Sequence, residues 1–273
     1  MPAQPVQTPT EADALPFIAP CRALTPASPL RWLRAGWQDM RAAPGPSLTY
    51  GLFMAATSLL LSSVAYLYGS YWLLFAALSG FVFVAPVLCI GLYAISAQLE
   101  RKQEPSLLRS IREAGKRRLG TELIFGLILL VVFLVWARAG SMVHVFFPVE
   151  VEPEFSDLLT YLGVGSAVGS IFAAVTFAAS AFSLPMIMHR DVDAVTAVVT
   201  SINAVLRNKT AMLIWILIIV FALLLGFATF CLGLVVTLPL IGHATWHAYL
   251  DTVDASEFPR HSRGVAATPR PQA

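Results

Sequence analysis

Three residues near the C-terminal end are spaced to act together. In Gly242-His243-Ala-Thr-Trp246-His247-Ala-Tyr249-Leu-Asp251, His243, His247 and Asp251 recur every fourth residue, so a helix would carry them on one face. Two imidazoles at that spacing can share a divalent metal, and the carboxylate can complete the set. Haem held between helices also accepts such histidines. The plainer reading is structural: Trp246 and Tyr249 are residue types of the membrane–water interface, and a partly charged His suits a helix C-terminus. Arg138, two residues after Trp136, is expected to pair with Glu150, Glu152 or Glu154, or to reach lipid phosphate. Cys21, Cys89 and Cys231 form no C-x-x-C pair, which excludes a disulfide framework and a cysteine zinc site. P-loop, G-x-S-x-G and H-E-x-x-H patterns are absent from the sequence, so the common hydrolase chemistries have no footing. No enzymatic activity and no catalytic residue are expected.

The elements that must position these residues are membrane helices. Hydrophobic residues make up 57% of the 273 residues and charged ones 12%. The charge is about half that of a soluble domain, too little to cover one of this size. A net charge of +2 gives no basic field for nucleic acid. Apolar runs long enough to cross a bilayer fall at 47–68, 71–97, 121–143 and 158–188. The stretch 210–250 is read as two further spans, about 210–225 and 228–249, with a turn near 226–227; a single helix kinked at Pro239 is the competing reading. Residues 1–28 and 251–273 read as disordered tails, and no secretory signal peptide is expected.

Charge favours six spans. All but Arg138 of the 18 Lys and Arg fall in residues 1–46, 98–120, 188–210 and 250–273, whereas 144–157 hold four acids and no Lys or Arg. The positive-inside rule then places both termini in the cytoplasm, which requires an even number of spans. The expected fold is therefore all-α, a polytopic transmembrane helix bundle of six spans in three hairpins. An amphipathic cytoplasmic helix precedes each hairpin, at about 29–43, 105–119 and 192–207. In the first, Leu30, Leu33, Trp37 and Met40 share a face; Trp32 and Trp37 are expected at the interface with Arg138, Trp246 and Tyr249. The second helix of each hairpin carries a proline, Pro86, Pro185 or Pro239, expected to kink it. Gly163, Gly165, Gly169 and Ala173 form a small-residue stripe that would let another helix approach closely, which makes 158–188 the expected central packing helix.

Several segments together resemble a bacterial family of membrane proteins, DUF2189. They are Leu30-Arg-Trp-Leu-Arg-Ala-Gly-Trp-Gln-Asp39, Pro86-Val-Leu-Cys-Ile-Gly-Leu-Tyr93-Ala-Ile-Ser96 with Leu99-Glu100, Trp136-Ala-Arg138-Ala, and Pro239-Leu-Ile-Gly-His243-Ala-Thr-Trp246-His247-Ala-Tyr249. The resemblance runs over about residues 24–250. It implies an inner-membrane protein of several spans and unknown function, and supplies no catalytic residues. Some members are labelled cytochrome c oxidase subunit I. That label needs haem and copper histidines deep in several spans, and this sequence has none in the first five, so the oxidase reading is rejected.

The sequence thus points to a non-enzymatic scaffold or accessory protein bound to lipid, to another membrane protein or to itself. The alternatives are a transporter or channel for a weakly polar or lipidic substrate, and a metal- or haem-binding protein. No Asp, Glu, Lys or Arg lies near the middle of any span, which weighs against ion-coupled transport.

Overall fold

The computed structural model describes residues 16–68, 89–108, 119–146 and 155–260. Its longer helices are α1 (Ser28–Ala42), α2 (Pro44–Tyr68), α3 (Ile90–Glu100), α4 (Leu119–Phe146), α5 (Phe155–Ser180), α6 (Ser183–His189), α7 (Ala194–Arg207), α8 (Lys209–Ala228) and α9 (Leu234–Thr252). Among the described residues there is no strand, only isolated bridges between Cys21 and Val253 and between Arg190 and Arg260. Four stretches are long and apolar enough to cross a membrane: Pro44–Val64, Leu123–Gly140, Gly163–His189 and Lys209–Ala228. They fall on four of the six expected spans. The expected span 71–97 lies largely outside the described residues, as do Pro86, the turn at 69–70 and most of the amphipathic stretch 105–119.

The stretch 210–250 forms two helices, and the turn falls at 229–233 rather than 226–227. Phe230 and Cys231 take left-handed φ values of 53° and 64°. The Thr229 hydroxyl accepts from the Gly233 N–H at 2.8 Å and donates to the Gly226 carbonyl at 2.9 Å, so the side chain closes the reversal that its neighbours make.

Helix α9 is the hub, packed against α1, α2, α3 and α8. Glycines permit the closest of these approaches. A Cβ on Gly36 of α1 would sit 2.6 Å from the Ala244 nitrogen and 2.9 Å from the Leu240 carbonyl oxygen. On α2, a Cβ at Gly51 would strike the Val235 carbonyl oxygen and lie 2.7 Å from Cγ of Pro239. Pro239 lies inside α9 and has no N–H to give Val235, four residues earlier. The carbonyl it leaves open is the one that α2 covers.

The other described proline behaves differently from expectation. The chain breaks at Ala181–Phe182, and Pro185 lies in the first turn of the new helix α6, where a missing N–H costs no helical bond. It therefore starts a helix rather than kinking one. Ser201 of α7 seals the break, accepting from the Phe182 N–H at 3.1 Å and donating to the Ala178 carbonyl at 2.7 Å.

The described residues bear on two further expectations. Among the described residues a Cβ at Gly163, Gly165 or Gly169 meets nothing within 4 Å, and Ala173 is only half-buried. Among the described residues the close backbone approaches are made by Gly36 and Gly51 on α9, not by this stripe. The described parts of the tails are also ordered. Ala19 is fully buried, and its N–H donates to Thr200 Oγ1 at 3.1 Å. Asn208 accepts from the Leu24 N–H at 2.8 Å and donates to the Arg22 carbonyl at 3.1 Å. Arg22 N–H and Asp254 N–H bond the Thr252 and Pro20 carbonyls, and Phe258 is buried in the main core. These segments pair with side chains and backbone far away in sequence, which a local reading of their Pro- and Ala-rich composition misses.

Candidate functional site

Asp39 is the one carboxylate between Asp13 and Glu100. It ends the buried side of α1, just before the chain turns into α2. Its Oδ2 accepts from the Ser96 hydroxyl at 2.6 Å and meets His247 Nε2 at 2.8 Å. Ser96 Oγ lies 2.7 Å from His243 Nδ1, and His243 Nε2 lies 2.9 Å from Ser47 Oγ. Ser47, Ser96 and His243 are buried.

The sense of the bonds follows from the carboxylate. It can only accept, so Ser96 gives it the hydroxyl proton and takes one from His243 Nδ1. Neutral His243 then has its Nε2 lone pair free to accept from Ser47. The result is a directed line, Ser47 to His243 to Ser96 to Asp39, with His247 closing the end nearer solvent. It joins α2, α9, α3 and α1. Buried polar groups are stable only when their bonds are completed, and here both ring nitrogens of His243 have partners.

The three residues that the four-residue spacing singled out do share a face of α9, but they meet different partners. His243 is held by the two serines and His247 by Asp39. Asp251 accepts from the Trp32 indole at 2.9 Å and from Arg31 at 3.2 Å. Among the described residues no group of three His, Cys, Asp or Glu side chains could hold a metal ion. The structure does not bring His243, His247 and Asp251 together as a ligand set.

Of the expected interfacial residues, Trp32, Trp246 and Tyr249 are buried within the protein. Trp32 stands edge-on to Trp215 of α8 with ring centroids 5.5 Å apart. The Trp246 indole donates to Glu100 at 3.3 Å, and the Tyr249 hydroxyl lies 3.0 Å from His189 Nδ1. His189 packs edge-on to both rings. An indole or phenol buried with its polar atom bonded serves as core. Of that set Trp37 and Arg138 are exposed; Glu150, Glu152 and Glu154, the expected partners of Arg138, lie outside the described residues.

Residues 74–189 match the DUF2189 family model, described as a predicted integral membrane protein. No curated protein and no solved structure matches the chain. With the four apolar helices, the DUF2189 match makes this an integral membrane protein embedded in a bilayer by several helices. The matched segment contains α3 to α6 and ends at His189. Asp39, Ser47, His243 and His247 lie outside it; Ser96 and Glu100 lie inside. Three of the four sequence segments singled out above nevertheless meet at this one place, and of these three only the one with Ser96 and Glu100 lies within the match. They contribute Asp39, then Ser96 and Glu100, then His243, Trp246 and His247. Spacing could not reveal Ser47, Ser96 and Glu100 as partners, because each acts across a helix boundary. Asp39, a lone acid where a basic helix enters an apolar run, was the signal available.

Proposed function

We propose that this chain is a non-enzymatic scaffold or accessory protein of a bacterial inner membrane. We read it as six spans in three hairpins, each hairpin preceded by an amphipathic cytoplasmic helix, with both termini in the cytoplasm. The observation that supports the accessory role is the engagement of the chemistry-bearing side chains. His243, Asp39, Asp251, Glu100 and His189 each bond a residue of another helix, so they act as ties that hold α9 to its neighbours. Such a site makes a rigid platform, and a rigid platform is suited to presenting a surface to another membrane protein.

The test is affinity purification of the full chain from native membranes in mild detergent, with co-purifying proteins identified by mass spectrometry. A stoichiometric partner is expected. Recovery of the chain alone in several detergents would overturn the accessory role. The topology is tested separately by cysteine labelling from either side of the membrane. Single cysteines at residues 147–154 are expected to react from the outside, and those in the N- and C-terminal segments from the cytoplasm.

A further inference from the structure

Helix α1 has a second surface that the fold leaves open. Its inner face, Pro29, Trp32, Gly36 and Met40, is buried. Leu30, Arg34, Trp37 and Arg41 follow one another at i, i+4, i+7 and i+11 and so form a single stripe along the helix. All four are exposed, Leu30 at 62% and Trp37 at 43%. Arg31 of the same helix is tied to Ser28 and Asp251. Arg34 and Arg41, by contrast, have no hydrogen bond or ion pair among the described residues.

Helix α1 leads almost directly into an apolar helix. Only Ala43 separates α1 from α2, whose first turns expose Leu48, Leu52 and Phe53 within the apolar stretch Pro44–Val64. A face directed at water has no use for Leu30 and Trp37 side by side. A face directed at hydrocarbon would not hold two guanidinium groups without partners. The headgroup layer accommodates both. Indole rings settle there, a guanidinium grips phosphate through two parallel N–H bonds, and basic residues beside a span draw anionic lipid.

We propose that the Leu30–Arg34–Trp37–Arg41 stripe binds the phosphate headgroups of anionic phospholipids, with Arg34 and Arg41 on phosphate and Trp37 and Leu30 against the glycerol and upper acyl region. The site does not depend on the accessory role proposed above, because its occupant is the bilayer itself.

The experiment is native mass spectrometry of the full-length chain in mild detergent, titrated with phosphatidylglycerol and, separately, with phosphatidylcholine. The wild type is expected to retain phosphatidylglycerol preferentially. The Arg34→Gln/Arg41→Gln variant should lose retention by about fivefold per arginine removed. The Arg34→Lys/Arg41→Lys variant should keep the preference, since the charge remains. Arg260→Gln, an exposed position in the C-terminal segment, should change nothing. Equal retention of the two lipids by the wild type would overturn the site, as would an unchanged preference in the glutamine pair. An equal loss in Arg260→Gln would overturn it too, by showing that the attraction follows charge anywhere on the chain.

Discussion

Gly51 and Pro239 are matched across the α2–α9 contact. A Cβ on Gly51 would lie 2.7 Å from the proline ring and would strike the Val235 carbonyl, the acceptor that Pro239 leaves without its helical donor. The proline opens the backbone and the glycine allows α2 to close over it. Gly51→Ala is therefore expected to destabilise by about 1–3 kcal/mol, because the obstructing atoms are backbone and cannot rotate away. Thermal melting of the detergent-solubilised protein measures this. A melting temperature equal to wild type would show that the two helices do not approach this closely.

The opposite result is expected on α5. Gly163 and Gly165 have open space around an added Cβ among the described residues, and Ala exceeds Gly in helix propensity by up to about 1 kcal/mol. Gly163→Ala and Gly165→Ala should leave the melting temperature unchanged or raise it. A clear loss, or dissociation of an oligomer on size-exclusion chromatography, would place a partner helix on that stripe.

The Ser47–His243–Ser96–Asp39 line predicts an order of effects. Ser47→Ala leaves one nitrogen of buried His243 without its donor. Asp39→Ala leaves both Ser96 and His247 without an acceptor, and His243→Ala takes the acceptor from the buried Ser47 hydroxyl and the donor from the Ser96 oxygen. Each buried group left unsatisfied costs about 1–3 kcal/mol, so Asp39→Ala and His243→Ala should each destabilise more than Ser47→Ala. The double variant Ser47→Ala/His243→Ala should lose less than the sum of the two, because its members share a bond. Additive losses would mean that the serine and the histidine act independently.

The legible parts of this structure are those fixed by residues near one another in sequence. Long apolar runs gave α2, α4, α5 and α8, and the spacing of His243, His247 and Asp251 correctly put them on one helical face. What each of them meets was not legible. Ser47, Ser96, Asp39 and Trp32 come from three other helices, and no local pattern records that pairing. The same cause explains the aromatic residues. Trp32, Trp246 and Tyr249 have the composition of an interfacial belt, but Asp251, Glu100 and His189 on neighbouring elements supply the polar contacts that let them be buried. Trp37 stays exposed. The glycine stripe on α5 finds no close neighbour among the described residues. Small-x-x-x-small spacing says that a close approach is permitted, whereas the approach itself depends on a partner, which Gly36 and Gly51 find on α9.

Helix α7 offers a prediction that links pH to stability. Asp193 caps it, its carboxylate accepting from the Thr196 N–H at 2.9 Å. Partial burial pushes the carboxyl upward, but the bonds from the Thr196 side chain and the Thr196 and Val195 N–H groups outweigh it and hold the group below its ordinary value. A carboxyl lowered in the folded state stabilises above its unfolded pKa, and the gain disappears as the pH falls through the lowered folded value. At neutral pH Asp193→Ala should cost about 1 kcal/mol, as loss of an N-cap does. Asp193→Asn should retain most of the capping bond and lose only the charge. Melting curves from neutral pH down through the carboxylate range should therefore show the gap between wild type and Asp193→Ala narrowing with acid, while the smaller gap to Asp193→Asn closes. A gap to Asp193→Ala that stays constant across that range would mean that the aspartate stabilises α7 by shape alone, since a cap that depends on ionisation must weaken when the carboxyl takes up its proton.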